Sequence, residues 1–476
     1  MREVAADPTY RYDTKEEQAT GFMTQFSAAQ RQAIEHKDGP MMVIAGPGSG
    51  KTTVISNRIR HLIEEHGVRP SEILVITFTR TAAAEMRQRT MRLINAAEVT
   101  FGTFHSVFYA ILREFVPDQL KLVEQKEAIR LLKKAAEQVF PGRQYTSDYY
   151  DELLAEVGRI KNGLSADGSE AEKVLPYYDR EMKRLGLIDF DDMLVRCREL
   201  LTNDPKALAV LRRRYRYILV DEFQDINPVQ YDIIRLISAP VDNLFIVGDD
   251  DQSIYAFRGS EPAIMLGFPE AYPKCRIVKL TENYRSTGRI VRASARLIRH
   301  NRKRFRKKLK TAHEKGPKLR VTAYRDAYAE GEGVIRMIAA LPEGTSVGVL
   351  YRTHRAGSIF LQMLGAMKEN SAPFAKELST KTVQPMTFHA SKGLEFDAVF
   401  ILRAEEAVTP GRAGKEGASG REEAGGSLEE ERRMFYVAMT RARRFLHISY
   451  TKFAYNKKNQ RSRFVREATG FRIGIG

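Results

Sequence analysis

The segment Ala45-Gly46-Pro47-Gly48-Ser49-Gly50-Lys51-Thr52 constrains this chain more than any other. An apolar run (42–45) precedes it and an amphipathic stretch (53–65) follows, so the order is strand, glycine-rich turn, helix. That order aims backbone N–H groups at a phosphate lying on the helix N-terminus, and the glycines let the backbone come close. Lys51 is expected to reach the β- and γ-phosphates of a nucleoside triphosphate, and the Thr52 hydroxyl to ligate Mg²⁺. A chance glycine turn before a helix is the bland alternative, and it leaves the next observation unexplained. Tyr217-Ile218-Leu219-Val220 is a second apolar run, closed by Asp221-Glu222. Two carboxylates at the C-terminal end of a strand stand where α/β sheets hold their ligands. Asp221 is expected to hold Mg²⁺ and Glu222 to orient and deprotonate an attacking water.

Further apolar runs at 73–78, 244–247, 347–351, 398–402 and 445–449 alternate with helix-period segments. The pattern argues for an α/β fold with parallel sheets. From about Phe108 to Gly186 the patterning turns helical and charged, which reads as an inserted helical subdomain. The stretch 410–427 (PGRAGKEGASGREEAGGS) is rich in glycine and charge and is expected to be a flexible loop. Cys197 and Cys275 lack any zinc-type spacing and read as reduced thiols. No apolar run approaches the ~20 residues of a membrane span, and 1–20 is polar, so no membrane partner and a cytoplasmic address are expected.

Charge narrows the partner. Lys and Arg number 77 against 60 Asp and Glu, a formal net charge of +17, and such a surface favours a polyanion. The densest basic run, 302–310 (RKRFRKKLK), reads equally well as a solvated helix face.

More motifs follow in order. Asp221-Glu222-Phe223-Gln224-Asp225 and Val247-Gly248-Asp249-Asp250-Asp251-Gln252-Ser253-Ile254-Tyr255-Ala256-Phe257-Arg258-Gly259 resemble motifs II and III of the UvrD/Rep/PcrA group of superfamily 1 helicases. Gln30 resembles that group's adenine-reading glutamine. Thr77-Phe78-Thr79 and Gly102-Thr103-Phe104-His105-Ser106 resemble motifs Ia and Ib, and Asn283-Tyr284-Arg285-Ser286 resembles motif IV. Thr387-Phe388-His389-Ala390-Ser391-Lys392-Gly393-Leu394-Glu395-Phe396 resembles motif V, Tyr436-Val437-Ala438-Met439-Thr440-Arg441-Ala442 motif VI, and Ser462-Arg463-Phe464 a closing motif.

The resemblance implies two RecA-like lobes that sandwich ATP. The first would run in two parts, 1–107 and 189–281, around a helical insertion at 108–188. The second would span 282–476, with only a minimal insertion at 368–383 where many members carry a large subdomain. Lys51, Glu222, Gln252, Arg285 and Arg441 would be the catalytic set, with both arginines on the γ-phosphate. Tyr284 would stack on adenine and Glu395 would contact the ribose. Phe78, His105, Tyr255, Phe257, His389 and Phe464 match positions that touch a single strand in relatives, where aromatic faces stack on bases of any sequence. The chain departs from the pattern at Ala45, the first position of the phosphate loop, at Thr53 and Arg80, and at Phe257, where many relatives carry Trp. Three activities fit these residues: an ATP-driven DNA translocase or helicase running 3′ to 5′, a translocase that displaces proteins or serves a nuclease or a repair or replication factor, and an ATP-gated binding module. Single-stranded DNA and single-strand/duplex junctions are the expected partners, although stacking and phosphate contacts serve RNA equally.

Overall fold

A computed structural model describes residues 26–117, 121–143, 145–164, 168–367, 374–411, 428–454 and 457–470. Most of the expected loop 410–427 and the start of the bridge 368–383 lie outside them.

Two parallel sheets organise the chain. The first contains β1 (Met41–Ala45), β2 (Ile73–Thr77), β3 (Thr100–Thr103), β6 (Tyr217–Val220), β7 (Leu244–Gly248) and β8 (Arg276–Leu280), ordered β3-β2-β6-β7-β1-β8. The second contains β9 (Arg320–Tyr324), β10 (Ser346–Tyr351), β11 (Thr382–Thr387), β12 (Phe396–Ile401) and β13 (Ala442–Thr451), ordered β11-β10-β12-β13-β9. Short ladders pair β4 (Lys121–Leu122) with β5 (Leu187–Ile188) and β14 (Phe453–Ala454) with β15 (Lys457–Lys458).

Strands covered on both faces need apolar residues on both, which is why the central ones read as unbroken hydrophobic runs. Alternate residues of β1, β2, β6 and β7 feed two different cores. Met42, Ile44, Leu74, Ile76, Ile218, Val220 and Ile246 pack with helices Phe104–Phe115, Phe190–Asn203 and Pro228–Ser238. Met41, Val43, Val75, Leu219, Phe245 and Val247 face helices Ala28–Glu35 and Lys51–Glu64. The second sheet divides in the same way. Leu350, Val399, Ile401 and Ile448 meet helices Gly288–Ile298, Leu428–Met439 and Arg463–Thr469. Val347, Val349, Ala398 and Phe400 meet helices Ala327–Ala339 and His354–Ala366.

Helices Gln125–Val139, Ser147–Lys161 and Glu170–Arg184 form a separate hydrophobic cluster between the two parts of the first sheet. Phe108, Ile111 and Leu112 are not part of it, since their helix is laid against the first sheet. A buried bond from the Asn227 amide to Asn162 Oδ1 (2.9 Å) ties this cluster to the helix that follows Asp221-Glu222. Between 374 and 383 the chain forms the one-turn helix Ala375–Ser379 and enters β11, so that part of the bridge belongs to the second sheet. Cys197 and Cys275 are both free thiols.

Candidate nucleotide and nucleic-acid site

Both candidate ligand sites lie at C-terminal strand ends, where the two sheets meet. β1 ends at the buried Ala45 and turns through Gly48 (φ 64°) and Gly50 (φ 81°) into helix Lys51–Glu64. Both glycines occupy the left-handed region, which costs other residues strain. Gly46 N–H donates to Leu280 O (3.0 Å) and the Ser49 hydroxyl to Gly46 O (2.7 Å), so the turn is closed from within. Thr52 and Thr53 are half-buried in the first helical turn. Gln30 donates its side-chain N–H to Ser49 O (3.2 Å) while its carbonyl oxygen accepts from Ser27 N–H (3.0 Å), which locks the glutamine beside the turn. From the other side Asn283 donates to Pro47 O (2.7 Å) and Tyr284 N–H to Gly48 O (2.8 Å). The Tyr284 ring stays half exposed beside them.

The acidic half of the site stands across the turn. Lys51 Nζ pairs with Glu222 Oε1 at 2.8 Å. Glu222 holds a left-handed backbone (φ 53°), a conformation that costs a non-glycine residue ~1–3 kcal/mol and clusters at functional sites. Its N–H donates to Asp221 Oδ1 (2.9 Å) and its Oε2 accepts from Gln224 (2.6 Å), which fixes the strained turn. Burial works against ionising Glu222, but the Lys51 and Lys392 ammonium groups outweigh it and hold the carboxyl well below its ordinary range. Asp221 goes the other way: burial, and then the charge of Glu222, push it up. Burial would lower Lys51, yet Glu222 and Asp221 keep its ammonium above the usual value. A buried acid driven towards its neutral form is one that a divalent cation would return to the charged form, so Asp221, with the Thr52 hydroxyl in the first turn of helix Lys51–Glu64, fits Mg²⁺.

The second sheet supplies the arginines. Arg441, at the end of helix Leu428–Met439, donates to Gln252 Oε1 (3.0 Å) across the junction. Among the described residues its acceptors are all neutral: Gln252, Thr440 Oγ1 and the carbonyls of Val437 and Leu394. Burial, with Arg285 alongside, pulls the guanidinium down to about 9. A buried cation placed so is short of negative charge, and a terminal phosphate would supply it. Arg285 is held by Glu395, which also binds Arg443. Glu395, expected at a ribose, is thus engaged by two guanidinium groups. Lys392 bridges the sheets a second time, reaching the Asp225 carboxylate and Gln252 O (2.8 Å).

Four of the expected base-stacking residues converge. Phe78 and Tyr255 stack at 4.8 Å, Phe257 lies 5.2 Å edge-on from His389, and Tyr255 contacts both. Lys392 Nζ stands 4.8 Å above the Tyr255 ring, so this cluster adjoins the Gln252 side of the nucleotide site. Phe257 is 43% exposed. His105 stands apart, edge-on to the exposed Phe190 at 5.7 Å. Phe464 is a correction. It is 0% exposed, packed against Phe435 and beneath Arg432, so no base can reach its face. The motif Ser462-Arg463-Phe464, which alone suggested it, does not separate a core ring from a stacking one.

Sequence reasoning missed the partners that hold these groups in place. Gln224, Asp225 and Asp249 hold the site together, and the basic run 302–310 is not a solvated helix face. Lys307 and Arg304 turn inward from it onto Asp249, Asp250 and Asp251. Phe305 and Leu309, apolar residues inside that run, were the available sign that one side of it is buried.

The chain matches the UvrD/REP helicase N-terminal domain over residues 26–273 and the UvrD-like helicase C-terminal domain over 278–368 and 359–453. It is 35% identical over 375 residues to the putative ATP-dependent DNA helicase YjcD of Bacillus subtilis (strain 168), covering 73% of this chain and 48% of that protein. To the ATP-dependent DNA helicase PcrA of Leuconostoc citreum it is 33% identical over 351 residues, 68% of this chain and 46% of that one. DNA helicase II of Rickettsia typhi is 34% identical over 329 residues, 64% of this chain and 49% of that one. The chain therefore spans about half the length of the curated relatives it matches. Among the described residues no helix is long and apolar enough to cross a membrane.

Proposed function

The chain belongs to the UvrD/REP helicase family, and from that premise we propose that it is an ATP-driven translocase on single-stranded DNA that opens adjoining duplex. The observation that carries the reading is the Gln252–Arg441 contact across the two sheets, linked to the Lys51–Glu222 pair by hydrogen bonds through Asp249 and Gln224. A nucleotide between the sheets would lie against Gln30 and Tyr284 at its base, with its phosphates on the 46–52 turn. Lys51 would exchange Glu222 for phosphate oxygens, and the freed Glu222 would orient and deprotonate the attacking water. Thr52 and Asp221 would hold Mg²⁺, which would supply Lewis-acid chemistry to the triphosphate. Arg285 and Arg441 would steady the charge that develops on the γ-phosphate. Because the arginines belong to one sheet and the phosphate turn to the other, closure depends on the γ-phosphate and hydrolysis relaxes it.

The polynucleotide would run across Phe78, Tyr255, Phe257 and His389, a cluster drawn from both sheets. Relative motion of the sheets then changes the spacing of the stacking faces, which is how hydrolysis becomes stepping. We assign 3′ to 5′ polarity, as the family resemblance implies, and single-strand/duplex junctions as the substrate. The test is ATPase rate against oligonucleotide length, beside strand displacement on tailed duplexes of both polarities. A motor's rate climbs with length to a plateau. A flat curve with no displacement of streptavidin from a biotinylated end would mean an ATP-gated binding module instead.

A further inference from the structure

Lys307 is a lysine with a fully buried side chain that the reaction described above does not use. Its Nζ lies 2.5 Å from Asp249 Oδ1, 2.5 Å from Asp250 Oδ1 and 3.0 Å from Asp251 Oδ2, so its three protons meet three carboxylates. Arg304 adds a two-pronged contact to Asp251 (2.7 and 2.6 Å), and Phe305 N–H donates to Asp250 Oδ2 (2.8 Å). The ligand oxygens of the three aspartates lie within 4.8 Å of one another, close enough to invite a divalent cation, but the Lys307 ammonium already stands among them.

Asp249 is the end of this arrangement that matters. Its Oδ1 is taken by Lys307, and its Oδ2 accepts from Gln252 Nε2 at 2.6 Å. A carboxylate only accepts, so it must take the NH₂ side of the Gln252 amide and turn the carbonyl oxygen to Arg441 Nη2, 3.0 Å away. A flipped amide would set NH₂ against a guanidinium. Lys307 reaches this place from a strap with an unusual path. After Asn283 the chain forms helix Gly288–Ile298 in the second sheet's core. It then returns over the first sheet, where Lys310 N–H donates to Thr281 O (2.9 Å), before entering β9 of the second sheet.

We propose that Lys307 is a positioning residue for ATP hydrolysis: by anchoring Asp249 it sets the Gln252 amide that holds Arg441 towards the γ-phosphate. The inference rests on the ATPase reading of the site. It makes the strap part of the catalytic machinery, with a specific target. The Lys307 ammonium is taken up by three aspartates, so its loss should impair the γ-phosphate step and spare binding of ADP, which lacks that phosphate.

The experiment uses the full chain with saturating single-stranded DNA and counts turnover per ADP-binding site, so unfolded protein does not enter the rate. Lys307→Met is expected to lower kcat roughly 10–100-fold, the scale of a misplaced reacting group, with the Kd for ADP within about threefold of the parent. Should that variant not fold because three buried acids have lost their cation, Lys307→Met combined with Asp250→Asn removes one charge of each sign and still unanchors Asp249. Its expected result is the same. Asp249→Asn, which can present either side of its amide to Gln252, should reproduce the kcat loss with unchanged ADP affinity. A normal kcat in the double variant overturns the proposal, as does a parallel loss of kcat and ADP affinity, which would make Lys307 merely structural. Glu222→Gln run alongside separates the two readings: if it too keeps full ATPase, the hydrolysis site itself is misassigned.

Discussion

At the scale of single residues, Glu222 is distinguished by three properties at once. Its backbone is left-handed, its carboxyl is held ionised, and its partner Lys51 opens the helix that follows the glycine turn, where we propose that it binds phosphate. A base that is charged before substrate arrives needs only to be released from Lys51 to act. Glu222→Gln should therefore preserve Mg·ATP binding and lose roughly 10²–10⁴-fold in DNA-stimulated turnover, the usual span for a general base. Equilibrium binding of a fluorescent ATP analogue beside steady-state ATPase checks both halves. Phe257 is the other residue whose surroundings make a sharp statement. It is exposed, yet it touches Tyr255 and His389, so it forms the outer face of the aromatic cluster. Phe257→Ala should cost ~1–3 kcal/mol of single-strand affinity and little thermal stability, since one stacked base is lost and no core. If melting falls while affinity stays unchanged, the ring is a packing residue.

At the scale of elements, the phosphate turn is shaped by what leans on it. A Cβ on Gly48 would come 2.6 Å from Arg285 Cβ, and the backbone there is left-handed. Gly48→Ala thus combines backbone strain of ~1–2 kcal/mol with displacement of the Arg285 arm. Gly39 offers the matched control: φ is 84° and nothing lies within 4 Å of an added Cβ, so Gly39→Ala carries the strain alone. ATP affinity should fall about 10-fold or more in Gly48→Ala and stay near the parent's in Gly39→Ala, while both lose thermal stability from strain, Gly48→Ala the more because of its clash with Arg285. Equal ATP affinities in the two variants would show that the arm does not shape the turn.

At the scale of the whole molecule, the proposed function has the basic excess and the aromatic cluster act together. Stacking would place the strand without reading it, and the charge of +17 would supply the long-range attraction. Single-strand affinity should fall linearly in log–log form with salt, with a slope of about −0.7 per neutralised phosphate. The buried cations Lys307 and Arg304 are already neutralised by aspartates, so charge-conserving changes to that cluster should leave the slope unaltered. A salt-independent affinity, measured by anisotropy, would remove phosphate contacts from the mechanism.

The seven strands legible in the sequence, β1, β2, β6, β7, β10, β12 and β13, are the interior strands of the two sheets. The four that were not legible, β3, β8, β9 and β11, are the edges. An interior parallel strand must be apolar on both faces, whereas an edge strand is half solvated and can carry Arg276, Lys279 or Pro385 without penalty. The phosphate turn and the Asp221-Glu222 strand end were legible for a related reason: their chemistry is local, set by glycine φ, a helix N-terminus and a short apolar run. Contacts between distant segments leave no such local trace. That Lys307 of a basic run lies buried against Asp249, that Glu395 binds two arginines, and that Phe464 is core while Phe257 is surface were decided only by the packing of segments distant in the chain. Burial of a charge or a ring depends on what the remainder of the chain brings against it, and only the tertiary structure holds that information.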